Sequence, residues 1–260
     1  MDNGCHFHAG NNKKLEITMI KRCIICCLMM FAMSSIMAKT DEFVWYDGEN
    51  AVAYNVLTDV EPVVKVALSM FSDDMSAVTG RKAVHTNNAV LMIVELDKAS
   101  EKLRKKLARK NVPVDEVMSS YDGFNISVYD GNVFIVGKNG RGTAYGILEM
   151  SRMAGVSPWI WWGDVVPEKK SYLTINRNTS VTQGASVEYR GIFINDEDWS
   201  IRPWSEKGQK GLIGRDTYKK VFQLLMRLRA NAVWPAMHEG TVSFFKTPGA
   251  KDVADSCGIA

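Results

Sequence analysis

The run Tyr189–Trp199, YRGIFINDEDW, constrains this chain more than any other stretch. Apolar Ile192, Phe193 and Ile194 give way at once to Asn195, Asp196, Glu197 and Asp198. A strand that delivers several carboxylates at its C-terminal tip is how a (β/α)8 barrel assembles an active site. Paired carboxylates in a cleft are also what cleavage of a glycosidic bond requires. The same residues fit a plainer reading, a strand that runs into a solvated acidic turn.

The residues C-terminal to that run extend the pattern. The stretch Asp196–Arg215 is a long loop carrying Trp199, Arg202, Pro203 and Trp204. Asp216 is placed to cap a helix whose apolar face is Tyr218, Val221, Phe222, Leu224, Leu225 and Leu228, with Arg227 and Arg229 near its negative end. Asn231 ends that helix. Ala232–Pro235 reads as the next strand, with His238 and Glu239 past its tip, and Ala250–Ser256 as a further helix. Two strands with polar C-terminal tips, joined through a helix, predict a βαβ unit with Ser186–Asn195 as its buried first strand.

Upstream, strands and helices alternate. Phe43–Trp45 and Val52–Asn55 are short strand patterns, and Glu61–Thr79 an amphipathic helix stopped by Gly80. Val90–Leu96 is a continuous apolar run of the kind found centrally in a sheet. A helix over Ser100–Arg109 presents a Lys/Arg-rich face, read as solvated. Phe124–Tyr129 and Val133–Val136 flank Asp130-Gly131-Asn132, a hairpin signal. The glycines of Gly137–Gly146 precede a helix over Thr143–Met153. They invite a phosphate-binding reading, but their spacing fits neither the P-loop nor the dinucleotide fingerprint. Tight strand-to-helix packing accounts for them better. Asn176–Gly184 is a polar linker and the expected domain boundary. The expectation is therefore an α/β chain: a sandwich-like α/β domain over 39–183, then over 184–260 the first strands and helices of a truncated (β/α)8 barrel.

Composition removes some partners. The 260 residues carry a net charge of +3, and no stretch alternates Lys and Arg with aromatics, which argues against nucleic acid. Seven tryptophans suit a sugar-stacking cleft, although most are expected in the core. Met19–Arg22 is a short positive segment before apolar Cys23–Met33, with small residues at Ser34–Ala38, so 1–38 reads as an export-signal region with its true start at Met19. The apolar stretch is short for a membrane-spanning helix, so no stable membrane insertion is expected once the signal is removed. The residues before Cys26-Cys27 argue against a lipid anchor. Only Cys257 then remains in the mature chain, which leaves no disulfide and no Cys pair for zinc. A periplasmic or secreted protein is expected.

FINDEDW followed by RPW, then NAVWPAMHEGT, resembles glycoside hydrolase family 115, the xylan α-1,2-glucuronidases. RGTAYGILEMSRMAGVSPWIWWGDVVPEKK resembles the α/β domain that precedes the barrel in that family. The resemblance runs from about Phe43 to Ala260. It implies inverting removal of glucuronic acid, often 4-O-methylated, from glucuronoxylan or a related polysaccharide, without an organic cofactor or metal, and is compatible with a homodimer of the full-length protein. Inversion uses a carboxylic acid and a carboxylate base ~6.5–9.5 Å apart. Asn195, Asp196 and Glu197 fall on pocket positions of the first barrel strand, Trp234 and His238 on those of the second. One of Asp196 and Glu197 is expected to be catalytic and the other to orient; alternation along a strand does not decide between them. His238 and Arg202 are candidates to bind the uronate, each with a structural alternative. Trp199, Trp204 and Trp234 are stacking candidates. Arg190 is expected to anchor its strand on a buried acid. The later barrel strands are missing, so this chain alone is expected to be inactive. Two other readings are another exo-glycosidase, such as a hexosaminidase, and a noncatalytic exported carbohydrate-binding module.

Overall fold

The computed structural model describes residues 41–195, 200–208, 213–235 and 242–260. By its contacts the chain divides after Phe43, and the larger unit is Val44–Ala260. The centre of that unit is a six-stranded mixed sheet in the order β3-β2-β4-β6-β5-β8. The strands are β2 (Ala53–Val56), β3 (Val84–His85), β4 (Leu91–Glu95), β5 (Tyr121–Tyr129), β6 (Asn132–Gly137) and β8 (Ser180–Ala185). β2, β3, β4 and β6 run parallel, and β5 is antiparallel to both β6 and β8. β1 (Glu42–Tyr46) and β7 (Leu173–Asn176) form a separate two-stranded sheet. The mixed α/β class is the one the sequence predicts.

Local chemistry sets these elements. Helix α1 (Pro62–Thr79) takes Pro at its first position and ends where Gly80, at φ +83°, donates its N–H to Ser76 O. Ser100 caps α2 (Glu101–Arg109) by accepting from Leu103 N–H. Asp130 (φ +46°) and Gly131 (φ +71°) form the two-residue turn of the β5–β6 hairpin, both left-handed as such turns require. The run Leu91–Glu95 is interior, as its unbroken apolarity predicts.

The sheet is covered on both faces. On one, α2 and α3 (Val114–Ser119) pack on Val94, Phe134 and Val136 through Leu107, Val114 and Val117. On the other lies α4 (Gly140–Met153), whose Gly146 meets Ile135 and Phe124. α1 packs against α4. Burying each large side chain here contributes roughly 1.5–3 kcal/mol. The glycines of Gly137–Gly146 are spacers: a Cβ on Gly137 would lie 2.1 Å from Thr143 N, and one on Gly142 2.3 Å from Gly123 O. The N-terminus of α4 is closed by Asn139, which accepts from Gly142 N–H at 2.9 Å. Close packing therefore explains the run.

Beyond Ala185 and just before it, the structure departs from expectation in three places. Within the stretch read as a polar linker, Ser180–Ala185 forms β8, an edge strand paired with β5. The strand read as buried over Ser186–Asn195 is β9, only Gly191–Phe193, with Ile192 and Phe193 46% and 57% exposed. Helix α5 (Ile201–Gly208) interrupts the expected loop, and α6 (Arg215–Arg227) has Gly214 at its N-cap, with Asp216 inside the first turn. β10 (Ala232–Trp234) pairs parallel with β9, and α7 (Ala250–Cys257) packs on α6 and α1. This parallel pair is the predicted βαβ unit; a closed barrel is not among the described elements.

Candidate active site

The candidate site lies at the C-terminal tips of β9 and β10. Their register, Gly191↔Ala232, Ile192↔Val233 and Phe193↔Trp234, brings both tips to one edge. Ile194 N–H donates to Trp234 O at 2.8 Å, so Asn195 emerges immediately beside Trp234. Gly191 makes the close approach possible, since a Cβ there would sit 2.2 Å from Ala232 O. The Phe193 and Trp234 rings meet edge to face at 6.2 Å and 72°, and Trp234 is 64% exposed. Asn195 is exposed and its carbonyl accepts from Ser200 Oγ. Asp196, Glu197, Trp199 and His238 lie outside the described residues.

The opposite ends of these strands are pinned. Arg190 N–H donates to Asn231 Oδ1 at 2.9 Å, and Asn231 and Ala232 return their N–H groups to Arg190 O. The Arg190 guanidinium reaches Asp122 Oδ2 at 2.6 Å, as expected of an anchor on a buried acid. Asp122 also receives Asn139 and Arg141 at 3.0 Å and Asn231 at 3.1 Å. Burial pushes its carboxyl up, but the bonds from Arg190, Asn139 and Arg141 outweigh burial and hold it below the usual range. Tyr145, which donates to Ala230 O at 3.1 Å, is pushed up to about 12 by burial and by the charge of Asp122. A cavity of about 490 Å³ opens here between Tyr121, Tyr145, Gln183, Arg190 and Arg229. Its cations are already paired, Arg190 with Asp122 and Arg229 with Glu149. It is a structural joint.

The other described candidates, Arg202 and Trp204, lie on α5. Arg202, on α5, pairs with Glu206 one turn on at 3.2 Å. Trp204 stacks on Trp162 at 4.9 Å and 23°, with Trp161 edge-on to both rings, so one of its faces is taken up within the protein. Lys220 lies over Trp161 at 4.9 Å. The sequence does not signal this cluster, since 161, 162 and 204 come together only through α5 and α6. The expectation that most tryptophans are core is corrected: of those described only Trp45 is buried, while Trp159, Trp204 and Trp234 are exposed.

Among the described residues no group of three or more His, Cys, Asp or Glu could hold a metal ion. Burial pushes the Cys257 thiol up to about 11, out of range for a nucleophile at neutral pH. Among the described residues no helix is long and apolar enough to cross a membrane.

Comparison with known proteins fits this arrangement. A sequence model for Glycosyl hydrolase family 115 matches residues 182–260, from β8 through both strand tips to α7. Among solved structures, the family 115 4-O-methyl-α-glucuronidase BtGH115A, described as specific for decorated arabinogalactans, superposes with a TM-score of 0.75 at 39% identity over 84% of this chain. The chain spans 29% of that protein's length. A protein named CpGH84D (14% identity, TM-score 0.47, 80% of this chain and 32% of that one) is more distant. So is a family 20 exo-β-N-acetylglucosaminidase from Vibrio harveyi (9%, 0.48, 84% and 33%). No curated protein matches. The matched strand tips and the extended identity place this chain in glycosyl hydrolase family 115.

Proposed function

We propose that the β9 and β10 tips form part of the sugar pocket of an exported, inverting glycosidase that removes (4-O-methyl)glucuronic acid from plant polysaccharide side chains. Xylan is the polymer proposed from the sequence. The specificity of BtGH115A for decorated arabinogalactans makes that polymer the natural second substrate to assay. The observation that carries the reading is the register of β9 on β10, which sets Asn195 beside the exposed Trp234 just where the chain enters its acidic run. Trp234 offers a ring face to a pyranose, and Asn195 a hydrogen-bonding amide to its hydroxyls. Asp196 or Glu197 would take part in the acid–base chemistry, with the other orienting substrate; His238 and Arg202 would meet the uronate carboxylate, and Trp199 would be a further wall. These residues would be the first turns of a (β/α)8 barrel.

The two-carboxylate mechanism needs an acid and a base on opposite sides of the anomeric carbon. A second group well separated from the Asp196–Asp198 run is therefore required, and a chain whose only described strands beyond β8 are the pair β9–β10 would show no turnover alone. The test is release of glucuronic acid from glucuronoxylan and from glucuronidated arabinogalactan, by this chain and by the complete product of its gene. Asp196→Asn and Glu197→Gln are made in the latter, and at least one should lose about two to four orders of magnitude in kcat. Near-normal turnover in both variants would remove the acidic tip from the mechanism. Turnover by the 260-residue chain would overturn its proposed inactivity.

A further inference from the structure

Helix α2 carries more positive charge than its packing needs. Leu103 and Leu107 turn inward against the Val94–Phe134–Val136 cluster, and Arg104 is committed to Leu96 O. The opposite face holds Lys102, Lys105, Lys106 and Arg109. Those positions follow the i, i+3, i+4, i+7 spacing and form one stripe ~10 Å long. Glu101 pairs with Lys105 and Asp130 with Lys110. Lys102, Lys106 and Arg109 are exposed and have no ion pair among the described residues.

Beside the stripe is a cavity of about 310 Å³, at the small end of the roughly 300–1,000 Å³ typical of ligand pockets. Lys106, Lys110 and Asp130 are among its polar walls, Asn55 and Asn132 add side-chain amides, and Phe134 lies in its floor. A cation for a carboxylate (Lys106), amides for hydroxyls, and an apolar floor for a ring's C–H face come together in one place, with Lys110 already held by Asp130. Of the rings nearby, Tyr129 is covered by Lys110 at 4.3 Å and Phe134 is buried in the cavity floor, so no exposed ring is offered for stacking successive nucleobases. The leucines of α2 face the core, so no apolar face is left to enter a bilayer.

We propose that the α2 stripe and this cavity form a binding surface for uronate-bearing polysaccharide. It lies on the sheet face opposite α4, and its choice of polymer rests on the function proposed above. The surface would hold the polymer through carboxylates along its length, with one uronate seated beside Lys106, whose ammonium has no ion pair among the described residues.

The test is binding of the purified 260-residue chain to polygalacturonate and glucuronoxylan, with unsubstituted xylan as the neutral control. Binding to the acidic polymers should weaken about tenfold or more as ionic strength rises to ~0.15 M. The triple variant K102E/K106E/R109E, at exposed positions and checked for an unchanged unfolding midpoint, should lose that binding. Asn55→Ala keeps every charge and should weaken binding about three- to tenfold with the same salt dependence. Wild-type-like binding by the triple variant, or none by the wild type, overturns the proposal. Unchanged affinity in Asn55→Ala overturns the role of the cavity, and equal retention of duplex DNA or phosphatidylglycerol vesicles overturns the assignment to uronates. Glucuronic acid release by the complete gene product is read in parallel. Polymer binding without turnover would leave this surface standing and remove the catalytic reading; turnover without polymer binding would do the reverse.

Discussion

Arg190 reaches across 68 residues of sequence to place Nη2 2.6 Å from Asp122 Oδ2. The contact joins the entry of β9 to the start of β5. Asp122 adopts a left-handed φ of +47° at an irregularity in the β5–β8 pairing, which aims its carboxylate at Arg190, Arg141, Asn139 and Asn231 together. Two of these partners, Arg190 and Asn231, are the residues that pin the candidate site's strands at their N-terminal ends. The position of the strand tips thus depends on one buried acid in the preceding sheet.

Asp122→Asn tolerates the positive φ but removes the charge while the two guanidiniums stay. It should destabilise the protein by roughly 3 kcal/mol, read by denaturant unfolding at neutral pH. The pH dependence has a defined sign. The folded carboxyl titrates below its unfolded value, so its stabilisation is complete above about pH 4 and is lost as pH falls further, through the folded value. The gap between wild type and Asp122→Asn should close in that acid range. A gap that is constant down to the acid limit would contradict the network.

Glu95 should behave in the opposite sense. It is fully buried, Oε2 accepts from Glu61 N–H at 3.0 Å, and Oε1 has no hydrogen-bond partner among the described residues. Burial, with a lesser push from the Glu61 charge, raises its carboxyl despite the bond from Glu61 N–H. A raised acid favours folding when protonated, so this group's contribution falls as pH rises through the unfolded and then the folded value. Glu95→Gln keeps the oxygen acceptor and removes the charge. It is expected to raise the unfolding midpoint at pH 7, by the equivalent of about 1 kcal/mol, and to match wild type near pH 4. A lower midpoint at pH 7 would show that the charge itself is needed.

Legibility follows the range of the interaction. α1 can be read because its apolar spacing and Gly80 are local signals, and the β5–β6 hairpin because Asp130-Gly131 dictates its turn. β8 is hidden: Ser180–Ala185 is largely polar, half exposed and nowhere buried, as an edge strand can be, so its composition resembles that of a linker. β9 is misjudged because a short apolar run does not say which neighbours cover it. The candidate site is legible only as a sequence pattern at the two strand tips, since Asp196, Glu197, Trp199 and His238 lie outside the described residues. That Arg190 would find an acid is legible too, but not that the acid is Asp122, whose partners are scattered from 139 to 231.

The glycine-rich turn gives a steric prediction. Gly142→Ala would push a methyl to 2.3 Å from Gly123 O, backbone that cannot move without opening β5, so a loss of about 3 kcal/mol or more is expected. Gly131→Ala meets nothing within 4 Å and should cost only the left-handed φ, roughly 1 kcal/mol. Thermal unfolding of the two variants should rank them in that order. Equal midpoints would mean the turn is not close-packed.

Asp74 and Arg227 form a buried two-bond pair, at 2.7 and 2.8 Å, tying α6 to α1. Asp74→Ala strands a guanidinium that is 11% exposed and should cost roughly 3–5 kcal/mol. Asp74→Leu with Arg227→Met removes both charges and should cost less than the single change. A double variant worse than Asp74→Ala would show that the ion pair stabilises beyond shape alone.

Trp234 separates folding from function. With 64% of its surface exposed, Trp234→Ala should change unfolding stability by no more than about 1 kcal/mol. If the β9–β10 tips wall the sugar pocket as proposed, its place beside Asn195 should make the same change costly for a bound sugar. Loss of a stacked ring should raise KM for glucuronidated polymer by about tenfold in the complete gene product, with unfolding unaltered. Trp204→Ala provides the contrast: its ring packs on Trp162 and Trp161, so stability should fall while KM holds. If KM follows Trp204 and ignores Trp234, the sugar lies against the tryptophan cluster and the β9–β10 tips are not its wall.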